Sequence, residues 1–203
     1  MRFIFRRKKF LPSFIIVVST VIILGFSIFI IKSEERKMRS DIIDQTSLVV
    51  NAIDINSLKN LTGTTADLAT PEYQQIKQLL SSMQKLETDY QLIYLLGQEK
   101  DGSIFAFVDS EPINSPDYSP PSSYSEMTDE ERDLFLSKEG IVFTHSDDEW
   151  GSRISAIVPR IDPATGEVLA FTGVDIAADV WYWDLAARCA LPIGLSTIIL
   201  ILF

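Results

Sequence analysis

Three groups of residues are of types that do chemistry. His145 stands just before Asp147, Asp148 and Glu149, and a histidine among carboxylates is the raw material of a metal site or an acid–base pair. The chain has 1 histidine in all, so no second imidazole supports a transition metal, and the acids lack calcium-loop spacing. The competing reading is a solvated turn between strands. Asp109 and Asp175 form a second group, each closing an apolar run where a carboxylate would meet the cationic part of a ligand. Capping of the following turn or helix competes with that role, most of all for Asp175, which precedes Ile176, Ala177 and Ala178. The third group is aromatic: Tyr94, Phe107, Tyr118, Tyr124 and Trp150 could line an apolar pocket, the hydroxyls orienting what binds. Core packing is the stronger claim on Phe107, while Tyr118 and Trp150 suit either role. Ser152 and Ser155 are an odd number of residues apart and face opposite sides of a strand, so one of them at most reaches the pocket, and Ser155 is taken as the candidate. No Gly-x-Ser-x-Gly elbow, phosphate-binding loop or Cys/His pair occurs, so no catalytic residue, metal or cofactor is assigned.

The elements that must position these residues follow from periodicity and turn chemistry. Within residues 147–159 and 167–175, two runs rich in β-branched and apolar residues flank Asp162-Pro163-Ala164-Thr165-Gly166, so they predict an antiparallel hairpin turning at residues 163–166. Residues 91–96 and 104–109 predict two strands joined through Asp101-Gly102, a strong hairpin signal. Residues 140–144 predict a further strand. The Pro- and Ser-rich stretch 111–124 predicts an ordered loop, and Thr128 followed by Asp129, Glu130 and Glu131 predicts a short capped helix. Upstream, Met38, Ile42, Val49 and Ile53 recur at three- and four-residue steps or their sums, which predicts one long helix over residues 33–61 with Gly63 at its C-cap. Thr70-Pro71-Glu72 opens another helix reaching about residue 86.

Charge and hydropathy divide the chain. All 28 acidic residues lie between Glu34 and Asp184 with 11 of the 18 basic ones, a surplus of 17 negative charges that excludes nucleic acid as a partner. A basic cluster of Arg2, Arg6, Arg7, Lys8 and Lys9 precedes an uncharged run over residues 10–31, long enough to cross the hydrocarbon core as a helix and longer than the usual signal-peptide core, so an uncleaved anchor is read ahead of the competing cleaved signal. The organisation expected is a cytoplasmic basic N-terminus (1–9), a first transmembrane helix (10–31), an extracytoplasmic domain (32–188) and the start of a second transmembrane helix (189–203). Trp181, Tyr182 and Trp183 mark a headgroup-level belt before that second run. With one cysteine, Cys189, the domain holds together by packing alone.

Several patches together resemble the PAS-like extracytoplasmic sensor domains called Cache or PDC domains. They are Tyr94 with Asp101-Gly102, Phe107-Val108-Asp109-Ser110, Asp117-Tyr118-Ser119-Pro120-Pro121, Glu149-Trp150-Gly151 and Gly173-Val174-Asp175-Ile176. Such domains occur in prokaryotic sensor histidine kinases, diguanylate cyclases and chemoreceptors. The resemblance implies an α+β fold: a five-stranded antiparallel PAS-like sheet with a long N-terminal helix, flanked by two transmembrane helices. It also implies a small ligand held between the sheet and the loops crossing it, and a homodimer. In amino-acid-binding members an aspartate at the end of the last strand holds the ligand amine, and Asp175 falls there. The rest of the amino-acid motif is not evident, so the ligand class stays open.

The expected function is extracytoplasmic sensing of a small molecule by the input module of a larger membrane receptor, with a kinase, cyclase or chemoreceptor output expected beyond Phe203. A membrane-anchored enzyme using residues 145–149 and a partner-protein-binding membrane module are the alternatives. The lipid bilayer is the other expected partner.

Overall fold

The computed structural model describes residues 4–99, 103–113, 115, 122–124, 138–146 and 151–202. In chain order the elements are α1 (Ile4–Ala52), α2 (Ile55–Asn60), a 3-10 turn (Thr65–Ala69), α3 (Pro71–Leu86), β1 (Tyr90–Gln98), β2 (Ile104–Asp109), β3 (Ser122–Tyr124), β4 (Ile141–His145), β5 (Arg153–Ile161), β6 (Val168–Ala177) and α4 (Ala178–Leu202). The strands form one antiparallel sheet in the order β3-β2-β1-β6-β5-β4. All five expected strands are present, and the three-residue β3 adds a sixth at one edge, within a segment read from sequence as loop. Its register sets Tyr124 opposite Ile104. The helix expected after Thr128 lies outside the described residues.

The chain divides into two units, Met1–Met38 with Tyr182–Phe203, and Arg39–Trp181. In the first unit, the part of α1 from Phe14 to Ile31 exposes apolar side chains on nearly every side, Phe14 and Ile16 at 65 % among them. A helix apolar all round has no polar face to offer water. Among the described residues this is the one helix long and apolar enough to cross a membrane. A second such helix, expected from residue 189 onward, is not shown among the described residues.

In the second unit the helices lie on one face of the sheet. Ile42, Thr46, Val49 and Val50 of α1, Ile53 just past its end, and Tyr73, Ile76 and Leu80 of α3 are buried, and α3 packs on β1 and β2. The strand residues on this side, Ile93, Leu95, Val108, Ile154, Ala156 and Val174, are also almost wholly buried. Three arginine contacts fasten α1 to the outer strands: Arg39 donates to the Val142 carbonyl of edge strand β4 (3.1 Å), and Arg160 of β5 donates to Asn51 Oδ1 (2.6 Å) and the Ile53 carbonyl (3.4 Å). Tyr90 donates to Gln45 Oε1 (2.9 Å), and burial, with Glu87 and Asp89 nearby, pushes its phenol up to about 12.

The long helix expected over residues 33–61 is broken. Asp54 adopts an extended conformation and its carboxylate accepts the N–H of Ser57 (2.8 Å), which starts α2 afresh. That hydrogen bond also holds the Asp54 carboxyl below the usual range. A short polar side chain competing for backbone donors gives the chain this exit from the helix. The C-cap differs too: Leu61 occupies it, and Gly63 (φ 72°) sits beyond in a loop whose donors converge on buried Asp67. The Asp67 carboxylate accepts the N–H of Thr62, the N–H of Gly63 and the Thr62 hydroxyl, each at 2.8 Å. At α3 the expected cap is present, Thr70 accepting from the Tyr73 N–H with Pro71 in the first turn.

The β5–β6 turn is closed by Asp162 N–H to the Glu167 carbonyl and Gly166 N–H to the Asp162 carbonyl, with Gly166 at φ 71°. Lys59 of α2 bridges the Asp162 carboxylate at 2.6 Å, and that contact, ahead of the Ala164 N–H, lowers the Asp162 pKa. A lowered folded-state value means stability that is complete above the ordinary aspartate range and is lost as pH falls through it. Asp162→Asn is therefore expected to melt below wild type at pH 7, with the gap closing below about pH 4. A thermal scan showing the same gap at pH 3 would assign the effect to something other than this bridge.

Candidate functional site

The face of the sheet away from the helices carries the candidate residues, and strand register brings them together. Asp175 on β6 stands opposite Ser155 on β5 and Leu92 on β1, and Gly173 stands opposite Ile157 and Tyr94. Directly opposed residues share a face with Cβ atoms roughly 5 Å apart, so Tyr94, Asp175 and Ser155 converge on neighbouring strands. Beside them Leu96, Ile104, Phe143, Ile157 and Phe171 form an apolar cluster, with Tyr94, Ala106 and Val168 packed against it. The arrangement is an apolar floor with a polar group at one end.

That polar group is an ion pair. Arg153 Nε lies 3.3 Å from Asp175 Oδ2, and their side chains are 9 % and 8 % exposed. A buried charge this far from water persists only when paired. Ser155 is fully buried beside Asp175, and its Oγ meets no hydrogen-bond partner among the described residues. Tyr94 lies over Gly173: a Cβ there would come within 2.1 Å of the ring. The glycine is what lets the phenol lie flat on β6, two residues from Asp175. The end of β6 is pinned where α4 begins, Ala178 N–H donating to the Ser152 carbonyl (3.1 Å).

Two candidates are engaged otherwise, Asp109 although it stands opposite Tyr94. Phe107 is the extra residue of a bulge between β1 and β2, stacked edge-on with Phe105 at 4.6 Å over Gly97 on the helix-bearing side. The Asp109 carboxylate is taken up by buried Lys77 of α3 at 2.8 Å and by the Glu111 N–H at 3.0 Å, and Lys77 also donates to the Asp109 carbonyl. Tyr118 and Trp150 lie outside the described residues, and Tyr124 is placed by register alone, in β3. Of the cluster 145–149, His145 is described, on the last position of β4 opposite Arg153. Among the described residues no group of three metal-ligating side chains occurs. Sequence reasoning missed Arg153. Alternation places it with Ser155 and Ile157 on one face of β5, a signal that was available once the hairpin was drawn. Lys77 was missed because a lysine in an amphipathic helix reads as solvated until its partner is known.

The sequence matches no protein-family model and no curated protein. Solved structures do match. The periplasmic domain of RsbU from Chlamydia trachomatis aligns with a TM-score of 0.54 at 14 % identity, over 88 % of this chain and 59 % of that one. The chain thus spans about three fifths of that structure's length. A methyl-accepting chemotaxis protein X aligns with a TM-score of 0.42 at 17 % identity, over 84 % of this chain and 66 % of that one. The ligand-binding domain of the Campylobacter jejuni chemoreceptor Tlp3, in complex with L-valine, aligns with a TM-score of 0.36 at 14 % identity, over 79 % and 64 %. The chain shares the fold of the RsbU periplasmic domain, consistent with the Cache/PDC-like fold that the sequence patches resemble.

Two expectations follow from the packing. Lys77→Met strands the Asp109 carboxylate and is expected to cost about 3–5 kcal/mol in denaturant unfolding, much of it recovered in Lys77→Met/Asp109→Leu. Equal losses in the single and double variants would mean that the pair is not the unit lost. Gly173→Ala is expected to cost about 1–3 kcal/mol by overpacking and to become nearly neutral in a Tyr94→Leu background. Additive effects in that cycle would place the strain away from the Tyr94 ring.

Proposed function

We propose that this chain senses a small molecule outside the cytoplasm, as the input module of a membrane receptor anchored by α1 and α4. The observation that carries the reading is the position of the Arg153–Asp175 pair. It is buried on the apolar face, with Ser155 and Tyr94 beside it, and β6 runs from Asp175 into α4 without an intervening loop. A guanidinium, a carboxylate, a hydroxyl and a phenol around an apolar floor are the groups that orient a small polar solute. The apolar span of α1 and the fold shared with a periplasmic domain support placing that face outside the cytoplasm. By this reading the bound solute shifts the balance between two arrangements of β6, and α4 carries the difference onward. The solute must bind one arrangement better than the other. The homodimer implied by the family resemblance belongs to the same proposal, as does a kinase, cyclase or chemoreceptor output.

The test is a melting scan of the full chain in detergent micelles against amino acids, carboxylates, amines, sugars and divalent cations. A specific ligand at about 100 times its dissociation constant adds roughly 2.7 kcal/mol of stability. The expected result is a hit that Asp175→Asn and Ser155→Ala each weaken at least about tenfold, the worth of one charge-assisted hydrogen bond. A hit that survives both substitutions would move the site off this face.

A further inference from the structure

His145 has so far been only a neighbour of the site. It is the last residue of β4 and stands directly opposite Arg153, while Phe143, two residues earlier, stands opposite Ser155. Its ring lies 6.3 Å from that of Phe143, centroid to centroid, so both point to the side of the sheet that carries Arg153, Ser155 and Asp175. Reading across β4, β5 and β6 on this face gives a histidine, an arginine and, two residues along β6 from the position opposite Arg153, an aspartate, the last two paired at 3.3 Å. Among the described residues these are the ionisable groups on the strands beside the imidazole. Arg39 of α1 meets β4 from the other side, at the Val142 carbonyl and the Thr144 hydroxyl.

The charge arithmetic of the three groups depends on pH. With His145 neutral, Arg153 and Asp175 cancel. With His145 protonated, these three groups together carry one net positive charge and two cationic donors. Histidine is the side chain whose ordinary titration falls between pH 5 and 8. We propose that His145 is a proton-responsive member of the ligand face, so that the face binds carboxylate-bearing solutes more tightly as pH falls through the histidine range. The proposal rests on this face being the binding face. It assigns the ligand a negative group that Arg153 and imidazolium share, and it gives the lone histidine a role in ligand affinity in place of the catalytic or metal role considered from sequence.

The chain's 1 histidine gives a single imidazole signal in a proton–carbon NMR titration of the full chain in micelles. Asp175→Asn, which leaves Arg153 uncompensated, is expected to lower the His145 midpoint, and Arg153→Gln to raise it. In wild type, a millimolar series of acetate, or of methanesulfonate, whose charge is constant across the range, is expected to raise the midpoint. By linkage the same anions then bind about fivefold or more tightly at pH 5.5 than at pH 8, the worth of one nearby charge in a partly solvated site. His145→Gln should abolish that pH dependence. A midpoint unmoved by both substitutions would overturn the coupling. One unmoved by either anion would overturn the ligand assignment, and this arm needs no variant to fold. If the melting scan finds a ligand sensitive to Asp175→Asn while the His145 midpoint stays unmoved throughout, the binding face stands and this inference falls.

Discussion

The register between β5 and β6 decides which side chains share each face of the sheet, and most of what this domain can do depends on it. From the turn, Ile161 pairs with Val168, and a continuous ladder from there would set Ile154 against Asp175. A bulge at Arg160 and Ile161 inserts one residue, and beyond it Ser155 stands against Asp175 and Ile157 against Gly173. Because side chains alternate with a period of two, that single residue exchanges the faces of the whole strand. It puts Arg153, Ser155 and Ile157 on the side of Asp175, and it sends Ile154, Ala156 and Val158 beneath the helices. Arg160, at the bulge itself, is turned toward Asn51 and Ile53.

The two faces solve the problem of buried charge in the same way and use it differently. Where α3 meets the end of β2, Lys77 and Asp109 neutralise each other, and the pair spends its remaining hydrogen-bonding capacity on the Asp109 carbonyl and the Glu111 N–H. Such an arrangement locks α3 against the end of β2. On the other face Arg153 and Asp175 are as deeply buried, but their neighbours include the fully buried Ser155 hydroxyl and the Tyr94 ring held close by Gly173. Desolvating two charges costs about as much as their attraction returns. On the function proposed above, the Arg153–Asp175 pair serves recognition.

The domain is tied to its helices at points that bear on this face. Arg39 holds edge strand β4, whose other residues stand opposite Ser155 and Arg153. Lys59 holds the turn from which the β5–β6 register starts. The central strand β6 becomes α4 with no loop between, and the first residue of α4 is hydrogen-bonded to the residue that precedes β5.

Much of this was legible in the amino-acid sequence. Runs rich in β-branched and apolar residues located the five longer strands, Thr70-Pro71 located the start of α3, Pro and Gly located the β5–β6 turn, and the uncharged run over 10–31 located the apolar part of α1, because each of these is a local property of the chain. The break at Asp54 was less legible, since an aspartate in a helical pattern reads equally well as a solvated face. What the sequence could not supply was pairing. That Asp109 belongs to Lys77, that Asp175 belongs to Arg153, and that His145 lies across from Arg153 depend on bulges and strand order. These are settled by which alternation buries the most apolar surface over the entire sheet. Residue types were determined locally, and their company was decided only by the tertiary fold.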